Sequence, residues 1–167
     1  MNILFTRFPL ESLFGGAEVQ TLSLMKSLIV RGHSVSFVGS CPVLLVEGEK
    51  IQVKTSQIHI GNPPVTKWDA FSFVWRKRAM KKALEQMMNN MSSMPDIICM
   101  VSLSEKILLT PFALRKGIKV LWIEHDSVGR WLRGNPWLST ICKLSGSVTT
   151  VCVSELRAEM YRSMGYK

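Results

Sequence analysis

The chain has 167 residues, 47% of them hydrophobic, and 21 Lys and Arg against 12 Asp and Glu for a formal net charge of +9. That length and apolar content suffice to bury one sizeable core, which excludes a disordered tail and makes a single domain the expectation. The cationic excess favours anionic partners, whether phospholipid surfaces, nucleic acids or phosphorylated small molecules, and does not choose among them.

The first strand expected is NILFT, 2–6. Its apolar run is too short to be a signal segment and is interrupted by Arg7, Pro9 and Glu11; no later run has the length of a membrane span. A cytoplasmic chain is the expectation, with a peripheral place on the inner face of the cell membrane left open. The loop from Arg7 to Gly16 is longer than simple strand-to-helix connections. A helix over 17–31 follows, in which Leu22, Met25 and Ile29, flanked by Leu24 and Leu28, form an apolar stripe while Lys26 and Arg31 face water. Gly32 supplies its left-handed stop.

Further strands are expected at SVSFVG (34–39), IQVKT (51–55), DIICMV (96–101), KVLWIEH (119–125) and VTTVCVS (148–154). Helices are expected over 67–91, 104–116, 136–144 and 154–164, the last capped by Ser154 and ending at Gly165. Several strands are nearly continuous apolar runs, as parallel strands covered on both faces are. The alternation predicts a doubly wound α/β fold: one Rossmann-like, mainly parallel sheet with helices on both faces. Cys41, Cys99, Cys142 and Cys152 lack CxxC spacing, and all four read as reduced, structural thiols, with no metal site.

In such a sheet the first strand-to-helix turn lies at the carboxyl edge of the strands, where ligands bind, and a helix N-terminus offers unpaired N–H groups to an anion. Gly15 and Gly16 leave the backbone bare at that point. GGAEVQ has no GxGxxG spacing, no acid ends the second strand, and there is no Walker-type loop. Glu18 either complements the helix dipole or reaches sugar hydroxyls. His125 closes an apolar run and so falls on the same edge; a histidine there is more often a satisfied loop residue than a catalytic one. Asp126 caps the next turn or lies near a ligand, and Arg130 is open between surface and site in the same way.

The stretch FSFVWRKRAMKKALEQMMNNM, 71–91, sets Arg76, Lys77, Arg78, Lys81 and Lys82 against the single Glu85. Phe73, Met80, Leu84, Met87 and Met91 are expected to line one stripe, with Trp68, Phe71 and Trp75 leading in. The plain reading is a core-packed helix with a solvated basic face. The sharper one makes Trp75 and the five cations a membrane-binding segment, since basic groups attract anionic headgroups and rings anchor at headgroup depth.

Three stretches, MNILFTRFPLESLFGGAEVQTLSLMKSLIVRGHSVSFV, VLWIEHDSVGRWLRGNPWL and TTVCVSELRAEMYRSMGY, together resemble the N-terminal domain of family 4 glycosyltransferases, in the GG-x-E loop, the long first helix and the R-G-H-x-V turn. The resemblance implies half of a GT-B architecture, two Rossmann-like domains with the active site between them. It implies a retaining transfer from a nucleotide-sugar donor to a glycan or lipid-linked acceptor without a cofactor or metal. By the same resemblance His125 contacts the transferred sugar, Gly15 and Gly16 offer N–H groups to donor phosphates, and Glu18, Asp126 and Arg130 belong to donor or acceptor binding. The family's basic pair and E-x7-E motif lie in a C-terminal nucleotide-sugar domain that has no counterpart in 1–167, so little or no activity is expected of this chain alone. The competing reading is a non-catalytic basic module that binds anionic membranes or nucleic acid through 71–91; since no nucleic-acid recognition module is found, nucleic acid is not expected as a partner.

Overall fold

The computed structural model describes residues 1–10, 14–125 and 130–167, without the side chains of Arg130 and Trp131. In chain order the elements are β1 (Asn2–Arg7), α1 (Gly16–Val30), β2 (Ser34–Gly39), α2 (Pro42–Lys50), β3 (Lys54–Gln57), α3 (Lys67–Asn89) and β4 (Ile97–Met100). There follow α4 (Leu103–Leu108), α5 (Thr110–Arg115), β5 (Lys119–Glu124), α6 (Arg130–Arg133), α7 (Leu138–Ser145), β6 (Thr149–Cys152) and α8 (Glu155–Ser163).

The six strands form one sheet in the order β3-β2-β1-β4-β5-β6, and every pairing is parallel. Successive side chains on a strand point to opposite faces, so each strand feeds two cores. Leu4, Val38, Ile98, Met100, Val120 and Trp122 pack with α3, α4, α5, α7 and α8. Ile3, Phe5, Val35, Phe37, Cys99 and Ile123 pack with Met25 of α1 and Leu44 of α2. This two-sided burial is why the strands read as unbroken apolar runs. The strand order reverses between β1 and β4, the switch point at which ligands bind in open α/β sheets.

The sequence reading differs from the structure in several places. Residues 42–50 form α2, which the pattern did not predict: Pro42 starts it without a missing hydrogen bond, and Leu44 is fully buried. The third strand accordingly begins at Lys54 rather than at 51, after a turn in which Gln52 has φ 65°. The helix expected over 104–116 is two helices divided at Leu109, with Pro111 in the first turn of the second. In α3 the buried stripe is Ala70, Phe73, Met80, Leu84 and Met88; Met87 and Met91 only flank it. In α1, Met25 is fully buried and Leu22, Leu28 and Ile29 pack beside it, while Leu24 is more than a third exposed.

At the carboxyl edge the paired ends of β1 and β2, Arg7 and Gly39, leave no room for a side chain on Gly39. A Cβ built on Gly39 would lie 2.2 Å from the Arg7 carbonyl oxygen, the same oxygen that accepts a hydrogen bond from the Ser40 N–H at 3.1 Å. Only glycine fits there.

Candidate functional site

β1 ends in Arg7, a residue the sequence reading passed over. Its guanidinium pairs with Oε1 of Glu18 in the first turn of α1, and both side chains are nearly buried. The other carboxylate oxygen, Oε2, accepts from the Gly15 N–H at 3.2 Å. Glu18 thus clamps the glycine loop to the end of β1, and its carboxylate is committed to the protein rather than presented to a sugar. A charged pair this far from water is held only because each partner is bonded.

Gly15 is the N-cap of α1, with an extended backbone (φ −123°). A Cβ on Gly16 would meet nothing within 4 Å. Neither backbone strain nor packing within the described residues requires glycine at 16, so the bare backbone there faces open space at a helix N-terminus, where an anion is favoured.

His125 follows the last residue of β5. Its Nε2 lies 3.5 Å from the Thr21 hydroxyl, and that hydroxyl donates to the Ala17 carbonyl at 2.7 Å. The second turn of α1 therefore meets the end of β5, and the glycine loop and His125 share one edge. Asp126 lies outside the described residues. Arg130 opens α6, and its side chain likewise lies outside them.

Beneath His125, on the opposite face of the strand, three buried side chains interlock. Lys106 Nζ lies 2.8 Å from Glu124 Oε1 and donates to the Ile123 carbonyl at 3.1 Å, while the Tyr161 hydroxyl donates to Glu124 Oε2 at 2.9 Å. α4, β5 and α8 are tied together at the residue before the histidine. The residue before Lys106 in α4, Glu105, is wholly buried; its Oε1 accepts from the N–H groups of Val101 and Ser102 at 3.2 and 2.6 Å. Burial pushes this carboxyl up to about 8, against the pull of those backbone bonds and of Lys106. Ser102 in turn accepts from the Phe8 N–H at 2.9 Å, joining the start of the glycine loop to the end of β4.

The cations of α3 do not act as one face. Arg76 folds back: Nε donates to Ser72 Oγ at 3.1 Å, Nη1 to the Asn62 carbonyl at 3.2 Å, and the group pairs with Asp69 at 3.8 Å. Lys77 lies over the Trp137 ring at 4.9 Å. Lys81 sits 3.8 Å from Glu85. Trp75 is two-thirds exposed, and Arg78 and Lys82 are exposed. The five cations therefore do not share one outward face, because a helix distributes neighbouring residues around its whole circumference.

None of the four cysteines is in a disulfide; burial pushes the Cys99 thiol up to about 12 and raises those of Cys142 and Cys152, which favours their protonated forms. Among the described residues no group of three or more His, Cys, Asp or Glu is placed to hold a metal ion, and no helix is long and apolar enough to cross a membrane.

An all-parallel six-stranded sheet with helices on both faces and a strand-order reversal between β1 and β4 defines a Rossmann-like domain. The model of Glycosyltransferase Family 4 matches residues 14–167, and the chain belongs to that family. Among solved structures it is similar to a glycosyltransferase from Rickettsia africae ESF-5 (TM-score 0.58, 16% identity) and to the glycotransferase of kitacinnamycin (TM-score 0.55, 16% identity). It is covered over 95% and 97% of its length respectively and spans 38% of each of those chains. At that identity the likeness concerns the fold: this is one domain of the GT-B kind, and the chain spans under two fifths of the length of these neighbours. None of the curated proteins matches the sequence.

Proposed function

We propose that this domain is the acceptor side of a retaining glycosyltransferase that moves a sugar from a nucleotide-sugar donor to a glycan or lipid-linked acceptor. One observation carries the reading: His125 touches Thr21 in the helix that the glycine loop opens, so a donor's phosphates and its sugar have recognition groups on one edge. The Gly16 N–H at the start of α1 faces the diphosphate, while Gly15, whose own N–H is held by Glu18, shapes the loop, and His125 hydrogen-bonds the transferred sugar. Asp126 and Arg130 are assigned to acceptor binding on the family resemblance alone. Glu18 serves the site through the loop it clamps.

The chemistry is departure of a nucleoside diphosphate from the anomeric carbon and attack by an acceptor hydroxyl. Stabilising the negative charge on the leaving diphosphate is electrostatic work. A helix N-terminus contributes part of it; a second domain, joined in the same chain or supplied by another, contributes the rest. The reading calls for no resident cofactor, the nucleotide sugar being a substrate, and it sets the work at the inner face of the cell membrane.

The test joins this domain to the C-terminal domain of a family relative and follows nucleoside diphosphate release with candidate nucleotide sugars. His125→Ala is expected to lower turnover by about 100-fold or more, the usual cost of losing one hydrogen bond made in the transition state. Unchanged turnover in His125→Ala removes the role given to this residue, and absence of nucleotide-sugar binding by the joined protein removes the reading.

A further inference from the structure

α3 presents one outward stripe of unusual composition. Trp68, Phe71, Trp75, Arg78 and Lys82 recur at intervals of three and four, and so stack on one face over about 21 Å of helix. The stripe is opposite Phe73, Met80, Leu84 and Met88, which are buried in the core. Trp68 is 84% exposed, Phe71 63% and Trp75 66%, with Val74 alongside at 46%. Phe71 and Trp75 pack edge to face at 4.7 Å, so two of the rings support each other and none is covered by another element of the fold. Single exposed apolar residues are ordinary, but three large rings in adjacent turns mark a surface that meets something.

The charges around the rings select the partner. Lys67, Arg78 and Lys82 are exposed, and the stripe itself carries no carboxylate. The nearest acids are already used: Asp69 accepts from Thr66 Oγ1 at 2.6 Å and pairs with Arg76, and Glu85 lies between Lys81 and Arg115. Rings followed by cations along one face match an anionic bilayer surface, where aromatic side chains sit at headgroup depth and cations meet lipid phosphates and carboxylates. Nine residues separate the helix from the end of β3, and the chain just past the helix's far end meets the start of β1, where Asn2 Nδ2 donates to Ser93 Oγ at 3.4 Å, so the aromatic turns lie toward the carboxyl edge of the sheet that carries Gly16 and His125.

We infer that the outer face of α3 docks this domain on anionic phospholipid membranes, with Trp68, Phe71 and Trp75 as anchors and Lys67, Arg78 and Lys82 as the electrostatic contacts. Arg76 and Lys77, turned to the protein, take no part. Binding is reversible, and it holds the ligand edge near the lipid surface. The inference concerns this face alone and is independent of the transfer chemistry, so its test requires no turnover.

The purified chain is sedimented with vesicles of phosphatidylcholine alone and with vesicles in which about a third of the lipid is phosphatidylserine. Binding to the anionic vesicles only, weakened at high ionic strength and accompanied by a blue shift of tryptophan fluorescence, is the result expected. Arg78→Gln with Lys82→Gln is expected to weaken partitioning about 30-fold, at roughly a factor of five for each cation removed. Trp68→Ser with Trp75→Ser removes both the blue shift and most of the binding. Lys116→Gln with Lys119→Gln, which lowers the net charge equally at the other end of β5, leaves binding within about twofold of the parent, since the neighbouring cations there touch no lipid. All these positions are exposed, and unchanged circular dichroism verifies the fold of each variant. The proposal is overturned if anionic vesicles bring down no protein, or if the Lys116 and Lys119 pair matters as much as the Arg78 and Lys82 pair. It is equally overturned if the stripe joins two copies of the chain in solution, or if it retains an oligonucleotide and no vesicle.

Discussion

Glu105 shows how a single buried group writes itself into the pH dependence of the fold. Its carboxyl is raised from 4.5 to about 8 by burial. An acid whose pKa is higher folded than unfolded binds more protons in the native state, so its stabilising contribution is complete below about pH 4.5. That contribution is lost as the pH rises toward 8, at about 1.4 kcal/mol per unit, and changes no further above that. Glu105→Gln keeps an acceptor for the Val101 and Ser102 N–H groups and removes the titration. It is expected to flatten that part of the stability profile and to be the more stable protein at pH 8, as measured by denaturant unfolding across the window. At this scale His125 and the two glycines were legible in the sequence, because each stands at an element boundary marked by an apolar run or a helix start. Arg7 with Glu18, and Lys106 with Glu124 and Tyr161, were not. Tyr161 and its carboxylate lie 37 positions apart, and no local pattern couples them.

At the scale of elements, the pattern located the long helix α3 and missed its phase by one residue at the C-terminal end. Met88 is fully buried, whereas Met87 only flanks the core. Met88→Ala is therefore expected to cost about 2–5 kcal/mol, and Met87→Ala clearly less, in matched unfolding experiments. α2 escaped the reading because PVLLVEGEK is short and its apolar residues are consecutive, which suits a strand as well as a helix. What decides for the helix is Pro42 at its start together with the room over β2 and β3 for Leu44 to enter the core. The division between α4 and α5 has a similarly local cause in Pro111, whose ring opens a new first turn and cannot continue an old one.

At the scale of the molecule, the proposed function makes the edge carrying Gly16, Thr21 and His125 one side of a site whose other side supplies positive groups to the leaving diphosphate. The 167-residue chain alone is expected to release no measurable nucleoside diphosphate from any nucleotide sugar. Joining a second domain restores turnover, and coupled detection of the diphosphate distinguishes the two outcomes. Robust turnover by the isolated chain contradicts this division of labour.

The sequence by itself determined the alternation of strands and helices, the parallel sheet and the place of the glycine loop and the histidine along the chain. Those properties follow from local periodicity and from which residues tolerate burial on both faces of a strand. Only the tertiary structure decided that α1 carries Thr21 to His125 and that Glu18 turns inward to Arg7. It also decided which aromatic rings of α3 remain outside. These depend on the sheet order β3-β2-β1-β4-β5-β6, which brings distant segments to one edge and leaves one stripe of a helix exposed. Such juxtapositions are products of packing, and residues remote in sequence carry no local sign of them.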